Sequence, residues 1–231
     1  MSINLSQLIF HKKNFLTPEQ CDLLINEYEQ RNNENVLERC PEANTGIDTY
    51  STFKRIELLL NTPAFKIIHD ATEQMVNEYH DYLDTFGAFH TEYRQCLLHS
   101  HMYRLLKYET GAKIHPHTDH EPFVYGSCTF NLNDDYEGGE FSFWNGQHKI
   151  KLGQGDALIF PADHFWVHAV DPITQGVRYS TNSFLQKLPN KLKEEVFEYV
   201  NAKGNFYTNY RYYDGTFYRV KPKLIKPTSQ S

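Results

Sequence analysis

The four cysteines, Cys21, Cys40, Cys96 and Cys128, include no Cys-x-x-Cys pair. Their scatter excludes a small disulfide-stapled fold and fits free thiols in a reducing compartment. No apolar run approaches the roughly 20 residues that a membrane-crossing helix needs. Residues 1–10 lack both the basic start and the apolar stretch of a secretory leader. These absences predict a cytoplasmic protein without a membrane anchor. Positive charge is short as well: 23 Lys+Arg stand against 29 Asp+Glu, a net charge of −6. The general basic footprint of a nucleic-acid binder is therefore missing. There is no internal repeat, long linker or low-complexity segment. Apolar content is modest at 40%, but 16 Tyr and 16 Phe supply bulky core material for one domain of 231 residues.

Thr17-Pro18-Glu19-Gln20 predicts a helix start, with Thr17 as N-cap, Pro18 at N1 and Gln20 closing a capping box. Cys21, Leu24, Ile25 and Tyr28 follow at helical spacing. Residues 31–50 are polar and are expected as a loop. Thr62-Pro63 repeats the start signal, Phe65 to Leu83 mark one apolar face, and Gly87 is the expected stop. From about residue 95 the period changes to that of strands. Leu97–Tyr108, Phe123–Asn133, Glu140–Asn145, His148–Leu152, Asp156–Phe160, His164–Val170 and Arg178–Gln186 are short runs rich in aromatic and β-branched residues. The expectation is a mainly β protein with flanking helices (α+β) and a jelly-roll core. Its single domain, 1–231, divides into a helical support region (1–94), a β core (95–187), and a C-terminal helix (Pro189–Asn201) with a Tyr-rich, then basic, tail (188–231).

Within the β half, Tyr108-x-x-Gly111, His117-x-Asp119, Gly138-Gly139-Glu140, Gly155-Asp156, Phe160-Pro161, His168 and Arg178-x-Ser180 follow in order. Two histidines and one carboxylate are the set that holds non-heme Fe(II) with open positions. On a strand, residues i and i+2 share a face, so His117 and Asp119 can reach one metal. By the same alternation His115 competes for a place, whereas His120 points away. The third ligand is His164 or His168, with Trp166 on the face of His168 as a pocket wall. An arginine ten residues beyond His168 suits a two-pronged grip on a dicarboxylate. The glycines are read as turn residues, Gly138-Gly139 in a hairpin and Gly155 before a strand.

This ordered set resembles the Fe(II)- and 2-oxoglutarate-dependent dioxygenases, and within them the prolyl 4-hydroxylase-like branch, over roughly residues 98–187. The resemblance implies a double-stranded β-helix (jelly-roll, cupin-like) core. It implies iron on His117, Asp119 and His168, and 2-oxoglutarate chelated to that iron. Arg178 would pair with the distal carboxylate, aided by Ser180 and Tyr108. It further implies O2 as co-substrate, ascorbate as an auxiliary reductant, and hydroxylation rather than halogenation, because position 119 carries a carboxylate. The chain departs from that branch in having arginine where many prolyl 4-hydroxylases have lysine. It also has Asn131 where the family often has tyrosine, with Thr129 on the same face as the expected substitute in binding the co-substrate.

The expected substrate is a prolyl residue of a peptide or protein, with a free amino acid or other small molecule as the alternative. Arg104, Trp144 and Trp166 are the candidate substrate contacts. Two readings from other classes compete: a non-catalytic cupin-like metal-binding domain, and a zinc hydrolase on the same ligands. Neither needs Arg178 to grip a dicarboxylate.

Overall fold

The computed structural model describes residues 4–38, 53–59, 62–87, 91–97, 99–120 and 123–187. The expected C-terminal helix and the Tyr-rich tail lie outside these residues. Among the described residues two α-helices, α1 (Pro18–Gln30) and α2 (Pro63–Asp84), accompany thirteen strands. The strands are β1 (Phe10–Lys12), β2 (Val36–Glu38), β3 (Phe53–Glu57), β4 (His99–Tyr108), β5 (Ile114–His117), β6 (Val124–Asn131), β7 (Glu137–Gly138), β8 (Phe141–Phe143), β9 (His148–Ile150), β10 (Ala157–Pro161), β11 (His168–Val170), β12 (Ile173–Gln175) and β13 (Arg178–Gln186).

Both helices begin where their capping residues require. Thr17 Oγ1 accepts from the Gln20 amide, and the Gln20 side chain accepts from the Thr17 amide. Thr62 Oγ1 accepts from the Phe65 amide at 3.1 Å. The inward face of α2 buries Phe65, Ile68, Met75, Val76, Tyr79 and Leu83. Each fully buried large apolar side chain contributes roughly 1.5–3 kcal/mol of transfer free energy. Tyr103 of β4 meets Phe65 edge-on, with ring centroids 5.3 Å apart, which places the helix against one face of a sheet.

That sheet has seven strands in the order β1-β10-β6-β13-β4-β3-β2, all antiparallel. A second sheet, β5-β11-β8-β9, faces it, and β12 pairs with β7 at one end. Phe143 of β8 packs edge-on against Phe160 of β10 (5.0 Å), closing the space between the two sheets. This is the double-stranded β-helix expected from the sequence. The side-chain alternation of the large sheet divides its two faces. Tyr103, Leu105, Cys128 and Phe130 turn toward the helices. Arg104, Tyr108, Ser127, Thr129, Asn131, Arg178, Ser180 and Asn182 turn toward the second sheet.

The structure redraws several expected boundaries. The region expected as helical support also supplies β1, β2 and β3 to the large sheet, and β2 lies inside the stretch expected as a loop. The expected strand 164–170 shrinks to β11, because Asp163 folds the preceding residues into a turn. Its Oδ1 accepts from the Phe165 amide (2.8 Å) and its carbonyl from the Trp166 amide (3.2 Å). Gly138 and Gly139 both have positive φ, but they link β7 to β8 and not the two strands of a hairpin. Gly155 has φ +76°, and a Cβ there would lie 2.3 Å from the Leu16 carbonyl oxygen. The adjoining Asp156 fastens the N-terminal segment: it receives His11 Nε2 (2.8 Å) on Oδ2 and the Asn14 amide (3.0 Å) on Oδ1.

Candidate functional site

β5 and β11 pair with His117 directly opposite His168, and the two imidazole centroids are 4.3 Å apart. Asp119, two residues beyond His117, closes the group. Its Oδ1 lies 3.4 Å from His117 Nε2 and its Oδ2 3.5 Å from His168 Nε2. All three ligand atoms fall within 4.8 Å of one another, and no other such His/Cys/Asp/Glu group occurs among the described residues. Each ring is held from behind by a carbonyl. His117 Nδ1 lies 2.8 Å from the His115 carbonyl oxygen, and His168 Nδ1 3.0 Å from that of Trp166. A proton on Nδ1 leaves the Nε2 lone pair pointing into the shared space, the arrangement a metal-binding histidine requires.

The electrostatics agree with ligand duty. Burial pushes the His168 imidazole down to about 4, against the pull of Asp119, so it is neutral near pH 7. Burial raises Asp119, but the two imidazoles more than offset it and hold the carboxylate well below its ordinary range. His117 is lowered by burial and raised further by Asp119.

His115 is not brought to this group, although simple alternation put it on the face of His117. The β5–β11 register slips between His168 and Val170, so β5 spends one residue more than β11 over the same span. His115 instead lines a surface groove with Lys113, Ser142 and Lys149. The alternative ligand His164 rests against His120, ring centroids 3.8 Å apart, and both are exposed.

Across the pocket, Arg178 is 1% exposed. Its Nε donates to Asn131 Oδ1 at 2.9 Å, and the guanidinium lies 5.0 Å from the centroid of the Tyr108 ring. Its two terminal nitrogens are buried and make no well-formed hydrogen bond to the described residues, and neither does Ser180 Oγ, although both groups lie beside the Tyr108 hydroxyl. Burial raises the Tyr108 hydroxyl, against the nearby Arg178 and Arg104 cations.

Two residues expected to touch a co-substrate are otherwise engaged. Thr129 Oγ1 donates to the Thr181 carbonyl (2.6 Å). Asn131 Nδ2 donates to the carbonyls of Asn133 (2.6 Å), Leu152 (3.2 Å) and Gly153 (3.2 Å), leaving its oxygen to Arg178. Asn131 thus holds the arginine in place. Trp144 is half-buried in the turn after β8, where its N–H donates to the Phe165 carbonyl (2.6 Å). Trp166 is buried in the core, and its indole nitrogen has no partner among the described residues.

Sequence reasoning missed Tyr136, whose hydroxyl donates to Asn131 Oδ1 at 3.3 Å. It also missed Asn182, which binds Arg104, and Ser127, which faces Asp119. Only the strand register reveals these partners, since nothing local marks them.

The double-stranded β-helix thus gathers two imidazoles and a carboxylate that could hold a metal ion, on the sheet facing a buried arginine with both terminal nitrogens unpartnered. Residues 103–186 match the 2OG-Fe(II) oxygenase superfamily. A PKHD-type hydroxylase of Cupriavidus metallidurans is 34% identical over 87 residues, covering 36% of this chain and 37% of that protein. One from Xylella fastidiosa strain M12 is 42% identical over 66 residues, covering 27% and 28%. The chain therefore spans about a third of the length of these curated relatives. Among solved structures, a Pseudomonas putida prolyl-4-hydroxylase shares the fold, with TM-score 0.59, 17% identity, and coverage of 79% of this chain and 94% of that one. A Trichoplax adhaerens prolyl hydroxylase, solved with a peptide fragment of a hypoxia inducible factor, gives TM-score 0.58 at 14% identity, covering 79% and 84%.

Proposed function

We propose that this protein is an Fe(II)- and 2-oxoglutarate-dependent dioxygenase that hydroxylates an unactivated C–H bond, with a prolyl residue as the first candidate. The observation that carries the reading is the Arg178 guanidinium, buried with both terminal nitrogens unpartnered. A buried cation without an anion is costly, and its planar fork matches a carboxylate. A structural or hydrolytic metal site gives no reason for it.

The donor set fits ferrous iron: His117 and His168 offer Nε2, and Asp119 offers a carboxylate oxygen. When bound, iron supplies the oxygen chemistry, in which one atom of O2 enters succinate, the other enters the new hydroxyl, and CO2 leaves. The chain's own residues bind and orient. Arg178, with Ser180 and Tyr108, receives the distal carboxylate of 2-oxoglutarate, and Asn131 fixes the angle of the arginine. Phe141, Phe143 and Phe160 pack around His168 and exclude water from its inner side. The PKHD-type relatives and the peptide-bound prolyl hydroxylase support the prolyl candidate.

Anaerobic titration of the protein with Fe(II) and 2-oxoglutarate tests the assignment. A visible charge-transfer band is expected in the wild type. It should be absent in His168→Ala and demand far more 2-oxoglutarate in Arg178→Ala. Metal-loaded wild-type protein without a band would reject the co-substrate and favour a zinc or non-catalytic site.

A further inference from the structure

A second arginine is buried on the same face as Arg178. Arg104 pairs in register with Asn182, on the row of β4 that also carries Tyr108, and is 7% exposed. Its Nε donates to Asn182 Oδ1 at 3.0 Å, and its guanidinium carbon lies 5.1 Å from the centroid of the Phe184 ring. These contacts fix the plane of the group without engaging its fork. Among the described residues the terminal nitrogens have one ion-pair neighbour within 4 Å, Glu38 Oε1, at 3.9 Å from Nη1, which is beyond hydrogen-bonding range. The other oxygen of Glu38 is taken by Arg55 Nε. Asn182 pairs on its other side with Thr129, so Arg104 stands on the inner face of the large sheet, in the same rows as Thr129, Asn131 and Arg178, turned toward the sheet that carries His117 and His168.

Formal charge shows what is missing. With the proposed site filled, Fe(II) and Arg178 bring three positive charges, while Asp119 and 2-oxoglutarate bring three negative ones. That assembly is neutral without Arg104, whose nearest acid is Glu38 at 3.9 Å, a carboxylate held more closely by Arg55. A buried arginine with an unengaged fork beside a reaction centre is a receptor for one more carboxylate. Resting on the function proposed above, we propose that Arg104 selects the primary substrate by binding a free carboxylate close to the C–H bond that is hydroxylated. The substrate class is then a free amino acid or a chain-terminal residue, such as a C-terminal proline, and not an internal residue of a neutral peptide.

The test is a panel of free amino acids and peptides ending in proline, each offered both as the carboxylate and as the carboxamide. The readouts are succinate formed above the substrate-free rate and a mass gain of one oxygen. Stimulation by carboxylates alone is expected. Arg104→Gln should raise the KM for the responding carboxylate by about 10- to 100-fold, with the KM for 2-oxoglutarate where it was. Arg104→Lys, which keeps the charge, should recover part of the loss. The Fe(II)–2-oxoglutarate band reports that each variant is folded. Equal response to carboxamides, an unchanged KM in Arg104→Gln, or a rise confined to the 2-oxoglutarate KM would each overturn the proposal. So would a panel that stimulates nothing while the band forms, an outcome that leaves the oxygenase reading standing. Absence of both band and succinate would instead remove the oxygenase reading, and this inference with it.

Discussion

Asn131 Oδ1 accepts the Arg178 Nε proton at 2.9 Å, and the asparagine's amide nitrogen is tied to three backbone carbonyls. The arginine is therefore aimed, through the Asn131 side chain, by the backbone just after β6 and by that of the β9–β10 connection. Tyr136 donates to the same oxygen at 3.3 Å and braces it from the far side.

Asn131→Ala should consequently weaken 2-oxoglutarate binding without removing the cation that binds it. We expect the concentration of 2-oxoglutarate needed to half-develop the charge-transfer band to rise about 10- to 100-fold, the usual cost of losing a supporting partner in a site of this kind. The band itself should keep its position, because no iron ligand has changed. Unaltered half-saturation would show that Arg178 needs no such support.

Arg178→Met should separate stability from binding. Replacing a buried cation that lacks an anion with an apolar chain of similar volume is often neutral or stabilising. The ligand-free variant should therefore melt no lower than the wild type. The wild type loaded with Fe(II) should gain about 2.7 kcal/mol when 2-oxoglutarate is present at 100 times its Kd, and the variant should gain little. Anaerobic thermal melts would decide this. A variant that melts far below the wild type before ligand is added would mean that Arg178 is structural.

Acid should weaken the fold through His80 on α2. Burial, with a smaller push from Arg94, lowers this imidazole from 6.5 to about 3. Below pH 6.5 the unfolded chain takes up a proton that the folded protein refuses. Stability contributed by neutral His80 is thus complete above pH 6.5 and declines toward pH 3, by about 1.4 kcal/mol per unit. Between pH 7 and pH 5 this amounts to about 2 kcal/mol. Urea titrations at both values should show that decrement reduced by about that much in His80→Gln. If the two proteins lose stability equally, His80 is not the group responsible.

Gly155→Ala should be severe. The added Cβ would meet the Leu16 carbonyl oxygen at 2.3 Å, and backbone cannot swing aside as a flexible side chain does. The residue also has φ +76°, which a Cβ disfavours. A loss of at least about 2 kcal/mol is expected, with release of the N-terminal segment that Gly155 receives through the Phe15 and Leu16 amides. Hydrogen exchange of those two amides would report the release, and persistent protection would contradict it.

Local chemistry settled what depends on neighbours in the chain. Thr17 and Thr62 cap helices because a hydroxyl three residues before an orphan amide finds it whatever the rest of the fold does. His117 and Asp119 reach one site because alternation along an extended chain carries them there. The period-two runs beyond residue 95 made the β core legible for the same reason. Tertiary structure decided what depends on register. A bulge opposite Ala169 keeps His115 out of the metal group, and an Asp163 turn leaves His168, not His164, facing His117. Three N-terminal strands entered the large sheet although they are too short to show a period. The pairings that aim the two arginines, Asn131 with Arg178 and Asn182 with Arg104, join residues 47 and 78 positions apart. No local propensity encodes such pairs, because they form only when β6, β13 and β4 lie side by side.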